Sequence, residues 1–148
     1  MEPAQSPTLS SAALTDRVRD FLRQPLFAAV ATTDANGAPR QAVIWYRLED
    51  DGRILINSRV SRFWPANLQR DGRVSLAVLG PDGYSWIGLT GRVDAVDDDP
   101  ARALADIEAL AWHYHPDGPD PASLESYRAY PRITFRIAID RVHDHLED

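Results

Sequence analysis

Cysteine is absent from the 148 residues, which excludes disulfides, thiolate nucleophiles and sulfur-bound metals. Lysine is absent too, so all 16 basic side chains are arginine. Every cation on offer is therefore a planar fork of donors rather than a compact point charge. No stretch approaches the ~18 to 20 uninterrupted apolar residues of a membrane span. The opening "MEPAQSPTLSSAALTD" lacks the basic and apolar segments of a signal peptide, and a cytoplasmic protein without membrane contact is expected. HExxH, the P-loop, GxGxxG and GxSxG are all missing, which removes the common zinc-protease, nucleotide and serine-hydrolase motifs.

Twenty-two acidic residues against 16 arginines give a net charge of −6. That balance disfavours a nucleic-acid partner, because such affinity comes largely from neutralising phosphates. Any anion the protein binds must be met by a local cluster. With 44% hydrophobic and 26% charged residues the chain falls in the range of ordinary folded proteins. Its length suits one domain that hides roughly 70% of its unfolded surface. Residues 1–12 are small, polar and proline-containing and read as a flexible arm, leaving 13–148 as the folded domain.

Leu14, Val18, Phe21 and Leu22 form an apolar helical stripe that Pro25 closes. "LFAAVATT" then reads as a strand, Asn36-Gly37 as a tight hairpin turn, and "RQAVIWYRLE" as the returning strand. "RILINS" makes a third strand, Phe63 to Gln69 a short helix, and "RVSLAVLG" a fourth strand. Tyr84 to Val96 makes a fifth, in which Gly88 and Gly91 signal a bulge, a bend or the close approach of a ligand. "DDDPARALADIEALAWHY" is a helix opened by acidic residues and Pro100. A short helix over Ser123 to Ala129 and a last strand, "RITFRIAID", precede a charged tail. Consecutive hairpin strands with inserted helices describe a mainly β, α+β fold, an antiparallel barrel rather than an alternating parallel sheet. In the second strand Val43 and Trp45 face one way and Ala42, Ile44 and Tyr46 the other. Both faces then need cover, by the barrel interior on one side and a helix or second subunit on the other.

"INSRVSRFWPANLQRDG", Ile56 to Gly72, places Ser58, Arg59, Ser61 and Arg62 together just before a helix. Unpaired amides at a helix start, joined by hydroxyls and guanidinium forks, suit a phosphate or carboxylate. The same residues also suit a solvated turn in which Ser61 caps the helix and the arginines cover Phe63 and Trp64. His113/His115 and His143/His145 have a spacing that can share one face of a strand. "HYH" sits where a helix meets a proline-rich loop, however, and the other pair lies in the charged tail, so no metal is assigned.

"ILINSRVSRFWPANLQRDGRVSLAV", "GYSWIGLTGRVDAV", "LFAAVATTDANGAPR" and "RITFRIAIDRV" resemble the pyridoxamine 5′-phosphate oxidase-like split β-barrel superfamily. Within it they are most similar to the small proteins that use the deazaflavin coenzyme F420. The likeness runs from about Leu14 to His143. It implies a homodimer with flanking helices around each split barrel, and F420, or alternatively FMN, between the subunits. It puts Asn57, Ser58, Ser61 and Arg62 around the cofactor's phosphate, with Asn67 one helical turn beyond. Gln41 and Val43 would lie along the ring system, and Trp86 of the partner subunit would approach it. Where relatives carry lysine this chain has Phe63 and Trp64, so two cationic anchors are lost: Arg59 or Arg70 would substitute, or the affinity would be low, or Trp64 would stack on something flat in a pocket turned to another ligand. The implied activity is hydride transfer between reduced deazaflavin and a conjugated organic acceptor, with no side chain assigned to catalysis. Alternatives are an FMN-dependent oxidoreductase and a non-catalytic flavin- or tetrapyrrole-binding module.

Overall fold

The computed structural model describes residues 14–148, and the arm expected over residues 1–12 lies outside them. Thr15 opens helix α1 (Asp16–Leu22) by accepting a hydrogen bond from the Val18 amide at 3.2 Å, and the helix turns Val18, Phe21 and Leu22 inward. The expected hairpin follows as strands β1 (Ala28–Thr33) and β2 (Pro39–Ile44). Its turn is closed by the Asp34 amide on the Ala38 carbonyl at 2.8 Å, with Gly37 at φ +89°.

The strand expected to run through "RQAVIWYRLE" breaks in two. β2 stops at Ile44, Trp45 and Tyr46 leave the ladder, and β3 (Arg47–Leu48) pairs elsewhere. The remaining elements are β4 (Ile54–Arg59), α2 (Phe63–Arg70), β5 (Arg73–Leu79), β6 (Trp86–Asp97), α3 (Pro100–Tyr114), α4 (Pro121–Ala129) and β7 (Arg132–His145). All strand pairs are antiparallel, and the seven-stranded sheet has the order β2-β1-β5-β6-β7-β4-β3. Its two edges, β2 and β3, are thus joined by Trp45 and Tyr46 alone. A residue spans at most ~3.6 Å, so the sheet must curl until its edges nearly meet, which is a split barrel.

Two tethers hold the crossing. The buried Tyr46 hydroxyl donates to the Leu22 carbonyl at 2.9 Å, and the Tyr46 amide donates to the Tyr114 hydroxyl of α3 at 3.0 Å. β6 and β7 shift register between Thr90 and Gly91, so of the readings left open for the strand glycines a bulge is the one found here. A Cβ at Gly91 would lie 2.1 Å from the Ala138 carbonyl oxygen, so only glycine fits. The expected charged tail is instead the end of β7, with His143 paired to Gly88 and His145 to Trp86.

The barrel interior holds Tyr46, Ile54, Ile56, Trp64, Phe135 and Ile137, all at 2% exposure or less. A second cluster of Leu55, Ile107 and Leu110 lies between β4 and α3. β4 is therefore covered on both faces, and this places its polar end, Asn57 and Ser58, inside the protein.

Candidate functional site

Beyond Ile56 the strand β4 continues with polar residues that remain buried, which is costly unless each finds a partner. Ser58 donates to the Arg59 carbonyl at 2.8 Å. The Asn57 amide donates at 2.9 Å to both the Ala103 carbonyl and the Thr134 hydroxyl, and its oxygen accepts from Arg132 Nε at 2.8 Å. Arg132, at the start of β7, is 9% exposed and has no carboxylate within ion-pair distance among the described residues. Its remaining contact is with the Tyr127 ring, whose centroid is 5.4 Å away. Burial, then the neighbouring Arg62 and Arg59, lowers its pKa to about 10. The guanidinium thus stays charged at neutral pH in a place where a charge without a counter-ion is unfavourable.

Arg132 lines a cavity of about 310 Å³ together with Asn57, Ser58 and Arg62. The cavity abuts the start of α2. Arg62 occupies the N-cap with no side-chain cap bond, and the first turn carries no acidic residue. Arg62 rather than Ser61 therefore holds the cap position, and the first amides of the helix lack the side-chain acceptor that Ser61 was expected to provide. Among the described residues no carboxylate lines the cavity. The opposite wall is apolar, built from Phe27, Val43 and Trp45. Trp45 is held by Tyr114, ring on ring at 4.7 Å and 11°, and His115 meets its edge at 5.7 Å. The arrangement suits a ligand with an anionic end and a flat apolar body. Among the described residues the titratable groups of the lining are Arg62, Arg132 and Tyr127; burial pushes Tyr127 further toward its neutral form, so they offer no acid–base pair. Phe27 and Val43 also border an apolar trough of about 410 Å³ that extends to Leu79 and Trp86.

Residues 14–146 match the family model described as pyridoxamine 5′-phosphate oxidase. The chain belongs to this family. Its fold is shared by an F420 reductase, at 20% identity and a TM-score of 0.75, covering 88% of this chain and 98% of that one. A conserved hypothetical protein from Mycobacterium tuberculosis is similar at 22% identity and a TM-score of 0.70, covering 89% and 86%. The heme storage protein HutZ from Vibrio cholerae is similar at 12% identity and a TM-score of 0.65, covering 88% and 94%. No curated protein matches the sequence.

Of the residues that the family resemblance singled out, the fold brings Val43, Asn57, Ser58, Arg62 and Trp64 to one cavity. The others lie elsewhere. Asn67 faces β1, donating to Thr32 Oγ1 at 3.0 Å and Asp34 Oδ1 at 2.8 Å while accepting from Arg70 at 2.6 Å. Its amide is fully used in pinning α2 to the sheet. Arg70 is engaged there and on the Thr33 carbonyl, so it does not replace a cation at the cavity. Ser61 and Gln41 are exposed and do not line the cavity. Trp86 borders the trough and stacks on His145 at 4.0 Å and 7°. Trp64 is 2% exposed and packed at 6.0 Å from Phe135, so it forms floor and core and leaves no free face for stacking. Phe63 is covered by Arg40, 3.8 Å above its ring.

Sequence reasoning missed Arg132, Tyr127, Phe27 and the cavity-facing role of Trp45. The one available signal was an arginine heading the apolar run "RITFRIAID". Among the described residues no group of three or more metal-ligating side chains occurs, and no helix is long and apolar enough to cross a membrane.

Proposed function

We propose that this protein is an F420-dependent oxidoreductase that transfers a hydride between reduced deazaflavin and a conjugated organic acceptor. The observation that carries this reading is Arg132, a buried guanidinium without a carboxylate, facing a cavity walled on its other side by apolar and aromatic groups. Arg132 takes the role of the cation missing at positions 63 and 64. Arg62 lines the cavity beside Arg132, whereas Arg59 lies outside the lining, stacked on the Tyr130 ring at 4.0 Å and donating to Ser126 at 3.3 Å. Two guanidinium groups in one lining suit an anionic tail, and likeness to an F420 reductase supports deazaflavin as its bearer.

When bound, the deazaflavin supplies the hydride chemistry itself. The chain's part is to seat the anionic tail with Arg132, Arg62 and the first amides of α2. Asn57 fixes Arg132, and Val43, Phe27 and Trp45 exclude water from the ring. The acceptor goes to the adjoining trough, whose apolar lining selects an uncharged conjugated molecule. Phe27, Val43 and Leu79 on this sheet face are 61%, 74% and 54% exposed, beside the small residues Ala29 and Ala77. So much exposed apolar surface suits contact with a second copy, giving a homodimer.

The protein incubated with F420 or FMN and then passed through a desalting column reports directly on this reading. Deazaflavin absorbance travelling with the protein is expected. A protein that is yellow as purified and ignores F420 overturns the assignment in favour of FMN.

A further inference from the structure

Four side chains behind the cavity are joined in one direction. Arg132 Nε donates to Asn57 Oδ1 at 2.8 Å, Asn57 Nδ2 donates to Thr134 Oγ1 at 2.9 Å, and Thr134 Oγ1 donates to Asp106 Oδ2 at 2.8 Å. Each link forces the next. Asp106 as a carboxylate only accepts, so the single Thr134 proton points to it and the hydroxyl lone pairs face Asn57. The second Asn57 N–H is taken by the Ala103 carbonyl at 2.9 Å, which leaves only the amide oxygen for Arg132. Reversing the amide would set N–H against N–H at Arg132 and oxygen against oxygen at Ala103, so one orientation is possible.

Thr134 is 0% exposed and Asn57 8% exposed, so water does not replace these links, whereas Asp106 is half-buried on α3. We propose that Thr134 and Asp106 are positioning residues for the anion site: they orient Asn57 so that it holds Arg132 by Nε and leaves both terminal nitrogens for the ligand. The negative charge that balances Arg132 is thereby kept two side chains away, where it does not compete with the bound anion. A direct carboxylate on Arg132 would satisfy the guanidinium and close the site. The inference rests on reading the cavity as an anion site, and the test separates the two.

Thr134→Val keeps the branched shape a strand accepts and removes both polar links; Thr134→Ser keeps the links. The readouts are affinity for inorganic phosphate and for F420, the ligand-free Tm, and hydrogen exchange of the Arg132 Nε–H followed by NMR. For Thr134→Val, affinity is expected to fall about tenfold and Nε–H exchange to speed up by a similar factor, as for a buried polar group that loses its partner. Thr134→Ser is expected to restore both, and Asp106→Asn, which keeps an acceptor but loses the charge, to lie between. A Thr134→Val protein that loses Tm alone, with affinity and exchange unchanged, overturns the positioning role. If Arg132→Gln binds both ligands as wild type does, the anion-site reading fails, and the proposed role falls with it even where exchange responds.

Discussion

The indole of Trp45 lies parallel to the phenol ring of Tyr114, 4.7 Å apart and 11° from coplanar. Trp45 belongs to the short crossing between the two sheet edges and Tyr114 to the last turn of α3, so this stack fixes a cavity wall to a helix end. The Tyr114 hydroxyl also donates to the Leu26 carbonyl at 2.5 Å and accepts from the Tyr46 amide. Its burial raises its pKa to about 12, which keeps that donor protonated throughout the physiological range. Tyr114→Phe keeps the stack and removes the hydroxyl's bonds to the Leu26 carbonyl and the Tyr46 amide. It is expected to cost about 1 to 3 kcal/mol in chemical denaturation, because a buried amide and carbonyl lose their partner. A shift in Trp45 fluorescence should accompany it.

Asn67 provides a contrast with the cavity residues. Its side-chain hydrogen bonds go to Thr32, Asp34 and Arg70, so Asn67→Ala is expected to lower stability by about 1 to 3 kcal/mol without changing affinity for an anionic ligand. Paired melting and binding measurements check both halves.

Gly91 and Gly37 are glycines for different reasons. Gly91→Ala sets a methyl group against the Ala138 carbonyl and is expected to cost more than about 3 kcal/mol, or to prevent folding. At Gly37, with φ +89° and nothing within 4 Å, alanine meets only backbone strain, worth about 1 to 2 kcal/mol. Comparing the two variants by thermal unfolding tests the bulge geometry.

Burial, assisted by nearby Arg47, lowers the pKa of His113 below its ordinary value of 6.5. The unfolded chain therefore takes up that proton first as the medium acidifies. Stability tied to the neutral ring is complete above the unfolded value and declines as pH falls through the folded one. His113→Gln is expected to flatten the fall in Tm between about pH 7 and pH 5 relative to wild type, a window set by the histidine range.

Local pattern sufficed for the hairpin at Asn36-Gly37 and for α2 and α3, because each is decided by residues close in sequence; for Gly91 it left a bulge as one of several readings, and the distant Ala138 on β7 decides it. The break after Ile44 was not legible. Apolar residues continue through Trp45 and Tyr46, and the crossing is settled by Tyr114, 68 positions away from Tyr46. The cavity was half legible for the same reason. Asn57, Ser58 and Arg62 sit in one loop-forming segment, whereas Arg132 reaches Asn57 across 75 positions and reads as the polar start of a core strand. Asn67 has the chemistry of the site, but its place on α2 turns it toward β1. His143 and His145 looked like tail residues because the charged sequence hides a ladder completed by β6.

The central claim is that Arg132 seats the anionic end of a redox cofactor. Titrating F420 into wild type and Arg132→Gln, with deazaflavin fluorescence as the signal, tests it most directly. Saturable micromolar binding by wild type is expected, weakened at least about tenfold in the variant, as befits a lost charge-assisted contact. No saturable binding by wild type, or equal affinity in the two proteins, contradicts it.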